Sequence, residues 1–177
     1  GVVIVEEETT TPPDTTITGG PTGTTNQTAQ SFTFTSDQPA ATFECKLDRP
    51  GSPGTYATCT SPAAFTTTTE GQYTFSVRAL LGAGNVDPTP ATRTFTVDTG
   101  PPDTTINAGP TGTVNTTSQQ FQFSSTEANS TFECRLDTPA GNGTFAACTS
   151  PQTYSTTAQG AYTFHVRATD AAGNVDA

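Results

Sequence analysis

The chain has 177 residues, a formal net charge of −10 and a sequence pI near 4.1. Six Lys and Arg, spread singly against sixteen Asp and Glu, exclude a nucleic-acid surface. The longest apolar run, Val2–Val5, is far short of a membrane-inserted helix, and scarce helix formers beside forty-two Thr make an all-β protein the default. Leu, Ile, Val and Phe total only 27 residues, which together with high net charge usually signals disorder. An internal repeat overrules that reading. Residues 12–88 align without a gap on residues 101–177, and 45 of the 77 pairs are identical. Disordered low-complexity sequence does not keep register over such a length.

Residues 1–11 come first in the chain and begin Gly-Val-Val-Ile-Val, its most β-prone stretch. The first copy, 12–100, then alternates apolar and polar residues with period two, the mark of half-buried strands. Phe32 and Phe34 share one face, as do Phe43, Cys45 and Leu47, and then Tyr73, Phe75, Val77 and Ala79. Phe95 and Val97 mark a closing strand. Thr on the opposite faces suits extended backbone and water alike. Gly- and Pro-rich turns separate these runs, and the pattern predicts an immunoglobulin-type β-sandwich of six or seven short strands. The second copy, 101–177, repeats the pattern, with Phe121, Phe123, Phe132, Tyr162, Phe164 and Val166 as its core.

Four Cys allow three pairings, and the repeat selects one. Cys45 with Cys59, and Cys134 with Cys148, are each 14 apart at equivalent positions. That separation suits neighbouring strands and is too short for a bridge between sheets. A zinc site would need Cys-X-X-Cys-like spacing, which is absent. Two disulfides place the protein in an oxidising compartment, extracellular, at the cell surface or periplasmic, and the expected location is extracellular or at the cell surface.

The runs Thr-Phe-Glu-Cys-X-Leu-Asp, Cys-Thr-Ser-Pro, Tyr-Thr-Phe-X-Val-Arg-Ala and Ala-Gly-Asn-Val-Asp resemble the bacterial immunoglobulin-like repeats of large secreted and surface proteins. The resemblance covers nearly all of residues 12–177. It implies a structural role, as stalk, spacer or adhesive array, and names no ligand.

The two copies end differently. The first runs past Asp87 into its closing strand, while the second stops at Ala177, one residue after the equivalent Asp176. The second sandwich is therefore expected to lack its own closing strand, leaving unpaired backbone and a gap in its core. The chain begins without Met or a signal peptide, which reads as a processed product or a piece of a longer protein. From these features the expectation is a filament subunit, polymerising head to tail with copies of itself. Val2, Val3, Ile4 and Val5 of one copy would complete the second domain of the next by donor-strand complementation. Strict 89-residue register would bury Glu6 and Glu8 in the core, so the strand is expected to shift. Either Val3 and Val5 or Val2 and Ile4 then point inward. The alternative is a spacer cut from a large surface adhesin, with residues 1–11 as a linker.

No catalytic site is expected. The sole His, His165, sits on a polar strand face, where it reads as an exposed residue, and no nucleophile elbow occurs. Neither cofactor nor metal is called for: Asp14, Asp87, Asp98 and Asp103 cluster at domain ends without a Ca²⁺-loop pattern and read as turn formers. Sequons at Asn26, Asn115, Asn129 and Asn142, and the run Thr66–Thr69, offer attachment points for glycans.

Overall fold

The computed structural model describes residues 11–82 and 84–177, which form two compact units, one ending at Asp98 and the other spanning Thr99–Ala177. The expected donor residues Val2, Val3, Ile4 and Val5 lie outside the described residues.

In the first unit, β1 (Thr15–Gly19), β3 (Ala29–Ser36) and β6 (Ala63–Thr66) make one sheet in the order β1-β3-β6. The other contains β2 (Gly23–Thr25), β4 (Thr42–Asp48), β5 (Ala57–Cys59), β7 (Gly71–Leu81) and β9 (Ala91–Val97), ordered β2-β9-β7-β4-β5. The short β8 (Asn85–Val86) pairs with β7. All pairings are antiparallel except that of β2 with β9. The second unit repeats the first sheet as β10 (Thr104–Ala108), β11 (Ser118–Ser125) and β14 (Gln152–Ser155). Its other sheet has three strands, β12 (Thr131–Asp137), β13 (Ala146–Cys148) and β15 (Thr163–Thr169), ordered β13-β12-β15. Both units are immunoglobulin-type sandwiches.

The period-two faces place the core between the sheets. Phe32 stacks on Phe75 with centroids 4.0 Å apart, Phe34 meets Phe43 edge-on, and Tyr73 stacks on Phe95 at 5.5 Å. Aromatic rings carry large apolar areas each, so Phe side chains can fill two cores in a chain that has only four Leu. In the second unit Phe121 stacks on Phe164 at 4.1 Å and Phe123 meets Phe132 at 5.0 Å. At the start of β7 the Tyr73 hydroxyl donates to the Thr69 carbonyl at 2.8 Å and accepts the Thr69 N–H at 3.2 Å. This is the tyrosine corner of immunoglobulin-type domains. Tyr162 repeats the first of these bonds, donating to the Ala158 carbonyl at 3.0 Å.

Cys45 is bonded to Cys59 and Cys134 to Cys148, each joining diagonal positions on adjacent strands of one sheet. A buried polar bridge ties β1 across to the second sheet. The Thr15 hydroxyl accepts the Ala79 N–H at 2.9 Å and donates to the Asp87 carboxylate at 2.6 Å. Asp87 also accepts the Thr89 N–H at 2.8 Å, so it fixes the turn into β9.

Three side chains sit differently from their strand or loop pattern. Thr67, inside the Thr66–Thr69 run, is fully buried and donates to the Thr28 carbonyl, so that run is not a uniformly exposed glycan tract. Ser76 alternates with the core yet is buried, because it is a small residue on a central strand with Lys46 and Thr92 beside it. His165 is half-buried rather than exposed, with its Nε2 2.9 Å from the Asp137 carboxylate.

Candidate strand-acceptor groove

The closing strand β9 of the first unit is the reference for the second. In the first unit it pairs with β7 over seven positions, from Gly71 opposite Val97 to Val77 opposite Ala91. Its Phe95 and Val97 are each 2% exposed. On its far side β2 runs parallel to it, Gly23 beside Phe95 and Thr25 beside Val97. Among the described residues of the second unit, nothing occupies the place of β9. The strand β15 pairs with β12; on its other edge Thr169 is bridged to Val175 and the Ala168 carbonyl accepts the Asp176 N–H at 2.9 Å, while residues 163–166 have no strand partner there among the described residues. Two further losses follow from the same cause. The strand begins at Thr163, where the equivalent of Gly71 would start it at Gly160, and residues 112–114 are not a strand. Both segments are held extended in the first unit by hydrogen bonds to β9.

A groove of about 1270 Å³ lies along this edge, with Ile106, Val114, Phe121, Leu136, Tyr162 and Phe164 in its apolar lining. Ile106 is 48% exposed and Val114 46%. Their counterparts show why. Ile17, the equivalent of Ile106, packs against the first core, and Tyr73, Phe75 and Val77 are wholly buried while Tyr162, Phe164 and Val166 are half-buried. The stack of Tyr73 on Phe95 has no counterpart at Tyr162 among the described residues. Of the six expected acceptor residues, Phe121, Tyr162 and Phe164 line the groove. Phe123 and Phe132 pack on each other deeper in the sandwich, and Val166 sits opposite Cys134 within the sheet.

Ile106, Val114, Leu136 and Gly160 also line the groove and were not singled out from the sequence. Val114 carried a signal: it replaces Thr25 of the first copy, an apolar residue beside the position of the missing strand. Gly160, at φ 144°, makes room for Pro139, whose ring a Cβ there would meet at 2.5 Å, as Gly71 does for Pro50 in the first unit.

The electrostatics of the second unit centre on the outer sheet face and the loop after β15. Arg167 binds Glu133 through Nε and Nη2, at 2.9 and 2.7 Å, with its guanidinium over the Phe145 ring. Arg78, Glu44 and Tyr56 repeat this arrangement in the first unit. Asp170 replaces the first copy's Leu81 and is 7% exposed. Burial opposes its charge. The Asn174 side-chain amide and the N–H groups of Asn174, Gly173 and Ala172 outweigh burial and hold its pKa below 3.8. A pKa depressed by folding gives stability that is complete above the unfolded value and is lost as pH falls through the folded one. Stability of the second unit should therefore decline below pH about 4, and Asp170→Asn should flatten that decline. Melting curves by circular dichroism from neutral pH to about 2.5 measure it. An equally steep decline in the variant would remove Asp170 as its source.

No known family model and no curated protein matches the sequence. Among solved structures the chain is similar to the fibronectin(III)-like modules of CbhA from Clostridium thermocellum. That match has 15% identity over 93% of this chain and 90% of that one, with a TM-score of 0.48. It is also similar to a tetra-tandem repeat in the extending region of a large adhesion protein, at 20% identity, 93% and 46% coverage and a TM-score of 0.31. A third similarity is to the BSP domain of a biofilm associated protein, at 16% identity, 93% and 27% coverage and a TM-score of 0.31. The chain spans less than half the length of these last two. The neighbours are of the same kind as the repeats that the sequence resembles. With TM-scores below 0.5 they add nothing to the sandwich fold that the strands themselves display.

Proposed function

We propose that this chain is a non-enzymatic structural subunit of an extracellular fibre, assembled head to tail through the groove in its second domain. In this reading the domains are residues 12–100 and 101–177, and residues 1–11 are the donor segment. The observation that carries it is the open groove beside Thr163–Thr169, which has in the second unit the place that Ala91–Val97 fills in the first. An unpaired strand edge above exposed Ile106 and Val114 calls for an added strand, since main-chain bonds and alternate side chains would satisfy both at once. The segment Val2–Val5 has the composition for that strand. Two disulfides support an extracellular setting.

A second reading has an observation of its own. In the first unit the closing strand follows directly after the Ala-Gly-Asn-Val-Asp turn, so in a longer protein the residues after Ala177 could close the second unit in the same way. The chain would then be a spacer or stalk piece of an adhesin-like protein.

Deleting residues 1–11 separates the two. The fibre reading expects rods in electron micrographs of the full chain and only single particles of the shortened one. Rods that persist after the deletion would sink the donor-strand assignment.

A further inference from the structure

The register of the first closing strand also specifies which side chains the groove accepts. In β9 only Phe95 and Val97 are wholly enclosed. Ala91 is half-buried, and the guanidinium of Arg93 reaches the Gly20 carbonyl at 3.0 Å, so that inward position ends at the polar rim. Thr94 is exposed and Thr96 half-buried, both on the outer face. The strand ends at Val97 and is followed by the half-buried Asp98, whose N–H donates to the Thr25 carbonyl at 3.0 Å. The pattern is therefore apolar, outward β-branched, apolar, acidic.

Carried to the second unit by the 89-residue offset, the two enclosed positions fall beside Tyr162 and Gly160. They are flanked by Gly112 and Val114 on the other side. The acidic position falls one residue past the position beside Val114.

Resting on the fibre reading, we infer that the groove takes Val3-Ile4-Val5-Glu6 of a second copy in register with Phe95-Thr96-Val97-Asp98. Val3 then lies against Tyr162, Val5 lies over Gly160 beside Val114, and Ile4 faces outward. Glu6 takes the half-buried place of Asp98, just past the two enclosed positions. The other registers match less well. Placing Ile4 at the Phe95 position puts Glu6 at the enclosed Val97 position, an unpaired buried carboxylate. Placing Val2 and Ile4 in the two pockets puts Val5 where Asp98 stands and leaves Val3 on the outer face. The connection supports the choice of a second copy. From Val97 to Pro101 the first-to-second connection advances four residues, whereas from Val5 to Pro12 it advances seven. A passage between copies thus has three residues more than the passage within one chain. Residues 6–11, three Glu followed by three Thr, suit a solvated connection.

Full-length variants test the register through the critical concentration for assembly. Val3→Asp and Val5→Asp should each raise it at least about 100-fold, since each buries a charge. Val2→Asp and Ile4→Asp, on the outer face, should change it by less than about tenfold. Covalent trapping gives a readout independent of assembly strength: Val5→Cys in one chain and Val114→Cys in another should form a mixed disulfide dimer on oxidation. If Val2→Asp and Ile4→Asp are the damaging pair, and Ile4→Cys traps instead of Val5→Cys, the register falls while the fibre reading stands. If all four Asp variants assemble like the unaltered chain, or the unaltered chain does not assemble, the fibre reading itself falls.

Discussion

Appending a copy of residues 89–98 after Ala177 should turn the second unit into a closed sandwich and raise its melting temperature by roughly 10–40 °C. Ala177 is the equivalent of Pro88, so the added segment continues the 89-residue repeat without a gap. The turn that would feed it is in place. Asp176 already accepts the Thr104 N–H at 2.9 Å, as Asp87 binds Thr15 and Thr89 in the first unit. The added Phe and Val would cover Tyr162, Phe164 and Val114. The scale is set by the reverse change: Phe95→Ala in the first unit removes one wholly buried ring, which typically costs about 3–5 kcal/mol. In a domain of this size each kcal/mol moves the melting temperature by about 4–8 °C. Under the fibre reading the appended chain should also stop assembling, because its groove is filled from within. Calorimetry and light scattering measure the two effects. No change in the melting of the second unit would mean that the groove does not accept the strand that its geometry specifies.

Removing the Cys134–Cys148 bond, as Cys134→Ala with Cys148→Ala, should cost the second unit about 3 kcal/mol, the loop-closure contribution for about 15 residues. The equivalent change at Cys45 and Cys59 should cost the first unit a similar amount, since both bonds close the same length of chain. The consequences differ because the starting points differ. The first unit has Tyr73, Phe75, Val77 and Phe95 wholly or nearly buried, whereas the second has Tyr162, Phe164 and Val166 half-buried. A total of about 5–15 kcal/mol is typical of a domain, and an unclosed core sits low in that range. Unfolding monitored by calorimetry should show the second unit melting near or below ambient temperature without its disulfide, while the first stays folded. Addition of residues 89–98 to the same variant should restore the second unit. Equal melting of the two units after these changes would show that the missing strand contributes little to stability.

The sandwich was legible in the sequence because a strand's side chains alternate strictly, so Phe32/Phe34 and Tyr73/Phe75/Val77 declare their faces without reference to neighbours. The disulfide partners were legible through the repeat, since Cys45–Cys59 and Cys134–Cys148 recur at one spacing. Local pattern failed where burial depends on what lies across the fold. Thr67 reads as one of four equal threonines, yet it is enclosed because the Thr28 carbonyl approaches it from a segment 39 residues away. His165 reads as exposed, but Arg135 stands opposite it and Asp137, two residues further along that strand, lies 2.9 Å from its Nε2.

The sequence by itself determined two β-sandwich copies, their disulfides, the acidic surface and the difference between their ends. All are consequences of period, spacing and composition, which are properties of one dimension. Only the tertiary structure decided that a groove lies beside β15 and that Ile106, Val114, Leu136 and Gly160 line it. Those facts depend on which strands become neighbours. The edge of β15 is open, and Ile106 exposed, because no described residue takes the place of Ala91–Val97 beside it.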